Sequence, residues 1–163
     1  MSRTPHEALQ ILSLAVELEQ RSALLYQEWA HRFAPYDIGI SGLLKVLAEE
    51  ERSHAREFHG LQEELSIEGL MEDVSLPPEF NACMERLRAI EDRFFVTGPV
   101  MAMTILEAAF EIEEFTGRFY RDLESRATDA KLAAACRRLS EFEEDHGRIF
   151  LERLEYERQK QSA

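Results

Sequence analysis

Residues 49–55 read EEERSHA, and residues 141–147 read EFEEDHG. Each stretch places a glutamate three residues before a histidine: Glu51 with His54, and Glu143 with His146. On a helix, positions three apart lie one turn above another on the same face. Each pair is therefore either a solvated acidic face that carries an imidazole, or two metal ligands one turn apart. The pattern around each pair decides between these.

Working outward, the apolar residues fall into four seams with the alternating three-and-four spacing of a buried helix stripe. The first runs Leu9, Leu12, Val16, Glu19, Ala23, Tyr26, Ala30 and the second Leu44, Leu47, Glu51, His54, Phe58, Leu61, Leu65. The third runs Leu106, Phe110, Glu113, Gly117, Tyr120 and the fourth Leu132, Cys136, Leu139, Glu143, His146, Phe150. Each seam is interrupted near its middle by an acid, or by an acid and a histidine. A buried carboxylate without a partner costs several kcal/mol. Four helices making the same costly choice need a shared compensation.

The chain also repeats itself. VELEQRSALLY (16–26) has the layout of FEIEEFTGRFY (110–120), with Glu seven residues before Tyr in both, at an offset of 94 residues. The two Glu-x-x-His stretches are offset by 92. Each half thus reads as a helix with one buried Glu followed by a helix with a buried Glu-x-x-His, an internal duplication of a helical hairpin. On the third helix, Glu111 and Glu114 offer a rival three-residue spacing. Two residues is about 200° around a helix, so Glu111 and Glu113 cannot both face one site. The seam passes through Glu113, whereas Glu107, Glu111, Glu114, Arg118 and Arg121 form a charged stripe with Glu-to-Arg support along the helix. Glu17 pairs with Arg21 outside the core by the same rule.

The punctuation fits four long helices. Thr4, Pro5 and Glu7 open the first with a capping box, and Pro35 ends it after about Phe33. Ser41 is expected to cap the second, which runs to about Leu65. A shorter helix is expected over about 77–92, within the connection. Thr97-Gly98-Pro99 precedes a third long helix reaching about Ser125, and a fourth starts near Thr128. No segment alternates cleanly as a strand. With 163 residues, 45% hydrophobic, 31% charged, and only 7 Gly and 5 Pro, the chain is expected to form a single all-α domain over 1–163.

The net charge of −13 argues against nucleic acid or an anionic membrane as partner. No apolar run approaches the roughly 20 residues of a membrane span, and MSRTPHEALQ lacks the layout of a signal peptide. Cys83 and Cys136 form no C-x-x-C pair, which excludes a zinc ribbon or a four-cysteine iron site within this sequence. Both are expected as small buried hydrophobes, and a cytoplasmic location is the expectation. His6, His31 and His59 are read as surface or rim residues, and Trp29 as packing.

Four carboxylates and two imidazoles balance two divalent cations, whose +4 charge cancels the four carboxylates. Oxygen and nitrogen donors suit Fe, Mn or Zn. One Glu from each of two helices and a Glu-x-x-His from each of the other two is the donor set of the ferritin-like dimetal bundles. On Glu19 with Tyr26, Glu51 with His54, Glu113 with Tyr120, and Glu143 with His146, the sequence resembles the ferritin-like superfamily, and within it the rubrerythrin-like di-iron domains, over about residues 7–158. The resemblance implies a four-helix bundle built from two duplicated hairpins with a crossover. It implies two Fe ions, with Mn or Zn as substitutes, bridged by Glu51 and Glu143. Glu19 and His54 would be terminal on one metal, Glu113 and His146 on the other. Tyr26 and Tyr120 would hydrogen-bond to ligands and, with the bridging glutamates, serve the chemistry, unless they are ordinary core aromatics. Implied partners are hydrogen peroxide or dioxygen.

The departures matter too. Rubrerythrins carry a four-cysteine rubredoxin domain, absent here, so electrons would come from a separate donor protein. Thr116 stands where rubrerythrins tend to have a seventh carboxylate, and Arg52 where bacterioferritins have their haem-binding methionine. No short fifth helix follows the fourth, so a homodimer is expected rather than a cage, with Phe94, Phe95 and the 77–92 helix as interface elements. The implied chemistry is reduction of peroxide or dioxygen, or Fe(II) oxidation. The alternative is an iron-handling or structural dimetal bundle without turnover.

Overall fold

A computed structural model describes residues 5–64, 85, 98–127 and 129–163, with side chains of the first helix described from Leu12 onward. Those residues form four helices and, among them, no strand: α1 (Pro5–Phe33), α2 (Ile38–Glu64), α3 (Pro99–Arg126) and α4 (Ala130–Ser162). The expected capping box at Thr4, the shorter helix at 77–92, Cys83, Phe94 and Phe95 lie outside the described residues, as does the side chain of His6. No described helix is long and apolar enough to cross a membrane.

Helix α1 packs along α2, and α3 along α4. The two pairs face each other through contacts that fix their directions. Glu64, Glu57 and Glu50 of α2 meet Lys131, Arg138 and His146 of α4 in reverse order. Tyr26 and Glu19 of α1 meet Glu113 and Tyr120 of α3, also in reverse order. Helices α2 and α3 therefore run the same way. The architecture fits a four-helix bundle.

The seams are where the periodicity puts them. Leu12, Val16, Ala23, Tyr26 and Ala30 of α1 are buried, as are Leu44, Leu47 and Phe58 of α2. So are Leu106 and Tyr120 of α3, and Leu132, Cys136, Leu139 and Phe150 of α4. Phe110 and Leu61 are only partly buried. The core divides into two apolar ends. One is centred on Trp29, Phe33, Ile40, Leu44, Ile105 and Phe150. The other is centred on Leu12, Phe58, Leu123, Leu132 and Leu139. The acidic interruptions lie between them.

One helix start differs from the sequence reading. Ser41 does not cap α2, which begins one turn earlier, at Ile38. Asp37 takes that role: its Oδ1 accepts from the Ile40 amide at 3.0 Å. Ser41 is instead buried inside the helix and donates to the Ala30 carbonyl at 2.7 Å, tying α2 to α1. Helix α4 begins at Ala130, close to the expected start near Thr128, with Asp129 accepting from the Leu132 amide at 2.9 Å. Asp37 also binds Arg153 of α4 at 2.9 Å, and Arg153 reaches the buried Glu157 at 2.9 Å. Burial pushes the Asp37 carboxyl up, but the Ile40 amide and the Arg153 charge win and hold it below its ordinary value.

Candidate metal centre

Glu19, Glu51, His54, Glu113, Glu143 and His146 converge in the middle of the molecule, all buried; His54, the most accessible, is 6% exposed. The register question on α3 is answered for Glu113, which is 1% exposed, while Glu111 is partly buried and Glu114 exposed. Glu17 pairs with Arg21 at 2.7 Å, as expected. The charged stripe on α3 is used differently: Glu107 meets Arg158 and Arg121 meets Glu144, both on α4 rather than within α3. His31 and His59 are exposed.

The six side chains form two overlapping groups. Glu19, Glu51, His54 and Glu143 can each bring one donor atom within 4.8 Å of the others, and so can Glu51, Glu113, Glu143 and His146. Glu51 and Glu143 belong to both groups. In the first, His54 Nδ1 lies 3.2 Å from Glu19 and 3.6 Å from Glu51 and Glu143. In the second, His146 Nδ1 lies 3.0 Å from Glu51 Oε1 and 3.4 Å from Glu113 Oε2. The imidazole rings stack 5.9 Å apart, 19° from parallel.

In the second group the donor atoms lie close together without hydrogen-bond geometry. Glu51 Oε1, Glu113 Oε2, Glu143 Oε1 and His146 Nδ1 are all fully buried and all lack a hydrogen-bond partner. Buried polar atoms are almost always paired, because each unpaired one costs about 1–3 kcal/mol. Four such atoms from one ligand group point to a shared cation. The donor set, carboxylate and imidazole without thiolate, fits Fe, Mn or Zn.

Electrostatics describe how the centre holds itself without metal. Burial pushes the Glu19 carboxyl well up, the Glu51 charge adds to this, and His54 only partly opposes it. Glu143 is likewise pushed well up, by burial and then by Glu51, Glu113 and Glu19. Glu51 goes the other way: burial works against it, but the two histidines hold it at about 2. Burial disfavours both imidazolium ions, yet Glu19 and Glu51 hold His54 up at about 9, and Glu113 and Glu51 hold His146 up at about 11. A buried chain of alternating acid and base is what four carboxylates and two imidazoles must become when no cation neutralises them.

The tyrosines connect the hairpins. The Tyr26 hydroxyl on α1 donates to Glu113 Oε1 on α3, and the Tyr120 hydroxyl on α3 donates to Glu19 Oε1 on α1. Burial and then the accepting glutamate push both phenols well above their ordinary value, so they remain donors. The tyrosines are thus partners of the candidate ligands as well as core aromatics. Thr116 is a second partner: its hydroxyl lies 2.8 Å from Glu143 Oε2, and 3.0 and 3.2 Å from the Ile112 and Glu113 carbonyls.

Two features were not singled out as functional from sequence. Glu50 accepts from His146 Nε2 at 2.7 Å, on the outer edge of the ring. Nothing within α2 could announce this, because it depends on the register between α2 and α4. The other is a cavity of about 320 Å³ between α3 and α4. Its walls include Glu113 and Glu143, with Phe110, Gly117 and Gly147 beside them and Arg118, Arg121 and Arg148 around them. The glycines permit the close approach. A Cβ at Gly117 would sit 3.4 Å from the Glu143 Cβ, and one at Gly147 would sit 3.6 Å from the Glu113 Cβ. By the repeat offsets, the corresponding residues of the first hairpin are Ala23 and Ala55, both buried.

Among known proteins, no family model, no curated protein and no solved structure matches the chain. Fold and site together define a class: an all-helical protein with a buried Glu/His cluster that could hold metal.

Proposed function

We propose that the protein is a ferritin-like, rubrerythrin-type di-iron oxidoreductase that reduces hydrogen peroxide or dioxygen, or oxidises Fe(II). The observation that carries this reading is the set of four buried, hydrogen-bond-free donor atoms on Glu51, Glu113, Glu143 and His146. The parallel course of α2 and α3 supports the ferritin-like part. Ferritin-like bundles contain such a parallel pair, joined by one long crossover. The matching Tyr-to-Glu bonds of the two hairpins support the duplication.

In this reading Glu51 and Glu143 would serve both metals, because each belongs to both ligand groups. Glu19 with His54 and Glu113 with His146 complete the sets. Reduction of peroxide to two waters takes two electrons and two protons; the electrons are what an Fe(II) pair held by these residues would supply. The chain's own residues do the rest. Tyr26 and Tyr120 hold one oxygen of Glu113 and Glu19, so each carboxylate keeps one orientation. Thr116 does the same for Glu143. The other oxygen of Glu113 has no hydrogen-bond partner, and that of Glu19 meets His54 Nδ1 at 3.2 Å. The apolar ends of the core exclude bulk water, and the cavity beside Gly117 and Gly147 admits a small solute from the α3–α4 side. Re-reduction falls to a separate electron-donor protein.

The test is anaerobic loading with Fe(II) followed by stopped-flow mixing with peroxide and, separately, dioxygen. Binding of two Fe(II) per chain with rapid oxidation supports the reading. Two bound Fe(II) that react with neither oxidant would replace it with a structural or metal-delivering role.

A further inference from the structure

The two hairpins supply equivalent ligands, but their surroundings are not equivalent. Around His146, the inner ring nitrogen Nδ1 faces Glu51 and Glu113, while the outer nitrogen Nε2 is bound by Glu50 at 2.7 Å. Around His54, Nδ1 faces Glu19, Glu51 and Glu143. Its outer edge has no hydrogen-bond partner among the described residues. By the 92-residue offset, the position corresponding to Glu50 is Phe142, and the Phe142 ring lies against the His54 ring at 5.1 Å. One histidine is backed by a carboxylate and the other by an aromatic ring.

A carboxylate on the outer nitrogen of a ligating imidazole fixes the tautomer, so that the inner nitrogen presents its lone pair. It also fixes the ring's orientation and makes that nitrogen a stronger donor. An aromatic ring packs the imidazole but does none of these. We infer that Glu50 is a positioning residue that makes the two metal positions unequal: divalent metal fills the Glu113–His146 position first and more tightly, and the Glu19–His54 position second. The inference rests on the dimetal reading of the site. Glu50 is half-exposed at the bundle surface, and its hydrogen bond comes from a different helix, so its removal leaves both cores intact. The inequality has a chemical use. A centre with one firmly held and one loosely held ion can keep the first metal while exchanging the second, which suits Fe(II) uptake as well as oxidant reduction.

The experiment is an anaerobic titration of the metal-free full chain with Co(II), followed by visible ligand-field absorption and by calorimetry. Wild type is compared with Glu50→Ala, Glu50→Gln and Phe142→Glu. Helicity by circular dichroism confirms that each variant is folded. Wild type should bind two Co(II) in separable steps. Loss of a partner behind a ligand typically costs 10–100-fold in metal affinity. Glu50→Ala should therefore weaken the first step by about 10-fold or more and bring the two steps together. Glu50→Gln, which keeps an acceptor but not the charge, should recover part of the loss. Phe142→Glu should tighten the second step. Proton NMR of the Co(II) protein adds a readout that mere packing would not move. A hyperfine-shifted, slowly exchanging ring N–H should be present in wild type and lost in Glu50→Ala. If wild type binds no Co(II), the dimetal reading itself falls. If wild type binds two Co(II) but Glu50→Ala leaves both steps and the N–H signal unchanged, the role of Glu50 is overturned and the dimetal reading stands.

Discussion

Adding metal to the metal-free protein at pH 7 should expel protons, and the structure says from which groups. Glu19 and Glu51 hold His54 charged up to about 9, and Glu113 and Glu51 hold His146 charged up to about 11, in both cases against burial. Burial, reinforced by the charge of Glu51, drives Glu19 and Glu143 toward the protonated form. Glu51, at about 2, has no proton to lose. Ligation requires neutral imidazole and ionised carboxylate. Protons leave the imidazoles and the raised carboxyls as the divalent ions enter. The assay is calorimetric titration with Co(II) at pH 7 in buffers of different ionisation enthalpy, where the slope gives protons released per metal. A clear net release with each metal is expected. A slope near zero would mean that the ligands are already deprotonated and solvated, and would refute the buried acid–base chain. The same groups set the pH dependence of the metal-free fold. The His54 contribution is complete below its ordinary value of 6.5 and is lost as pH rises through about 9, a change on the order of 3 kcal/mol. The raised Glu19 and Glu143 also lose their contribution as pH rises above 4.5, whereas lowered Glu51 loses its own as pH falls from 4.5 toward about 2. Metal-free protein should therefore melt at a clearly lower temperature at pH 9 than at pH 6. The loaded protein, with its histidines neutral and its glutamates ionised, should not.

Three further outcomes are expected. Tyr26→Phe removes the hydroxyl bound to Glu113; two metals should still bind, while peroxide oxidation of the Fe(II) protein slows by about 10-fold in stopped flow, the low end for a lost ligand partner. Gly147→Ala places a methyl group in ordinary contact, 3.6 Å from the Glu113 Cβ and 3.7 Å from Phe110. It should leave metal stoichiometry at two and raise stability by up to about 1 kcal/mol, yet slow azide binding to the Co(II) protein; an unchanged azide rate would show that solutes do not enter between α3 and α4. Asp37→Ala removes the cap of α2 and a partner of Arg153, and should lower stability by about 1–2 kcal/mol in urea denaturation, without changing metal content.

Much of the site was legible because helix periodicity is a local signal. Glu19, Glu51, Glu113 and Glu143 each interrupt an apolar seam, and a residue inside a seam must be buried whatever its partner. That argument also separated Glu113 from Glu111 without any tertiary information. It could not reach Glu50, which sits one position off the seam and reads as one more surface acid in EEERSHA. Its role is created by α4, whose register against α2 no local pattern encodes. Glu157 is different: it continues the fourth seam beyond Phe150 and Leu154, so the same periodicity accounts for its burial. What the pattern does not encode is its pairing with Arg153, which Asp37 holds in turn from another helix. Ser41 misled because a serine before Leu43 and Leu44 has the form of a cap. Asp37, two residues beyond Pro35, offers the stronger acceptor one turn earlier, and the serine hydroxyl was left for the Ala30 carbonyl.

In the dimetal reading, similarity between the hairpins would account for the ligands, and dissimilarity for how they are used. A perfectly symmetric pair of hairpins would offer two identical metal positions and two identical approaches. Here the second hairpin has Gly117 and Gly147 where the first has Ala23 and Ala55, and the cavity lies on the glycine side. It has Thr116 where the first has Ser22. Thr116 reaches Glu143, while Ser22 is buried with no side-chain hydrogen bond to a described residue. Glu50 backs His146, and Phe142 backs His54. All three differences concern the same region: the approach lies beside Glu113 and Glu143, the hydroxyl holds Glu143, and the carboxylate holds His146. The Glu113–His146 half thus carries both the described cavity and the carboxylate-backed imidazole. In the dimetal reading an ion held there would meet an incoming solute without being displaced by it, and the half around Glu19 and His54, beside Ala23 and Ala55 and backed by a ring, would be the position whose occupancy changes.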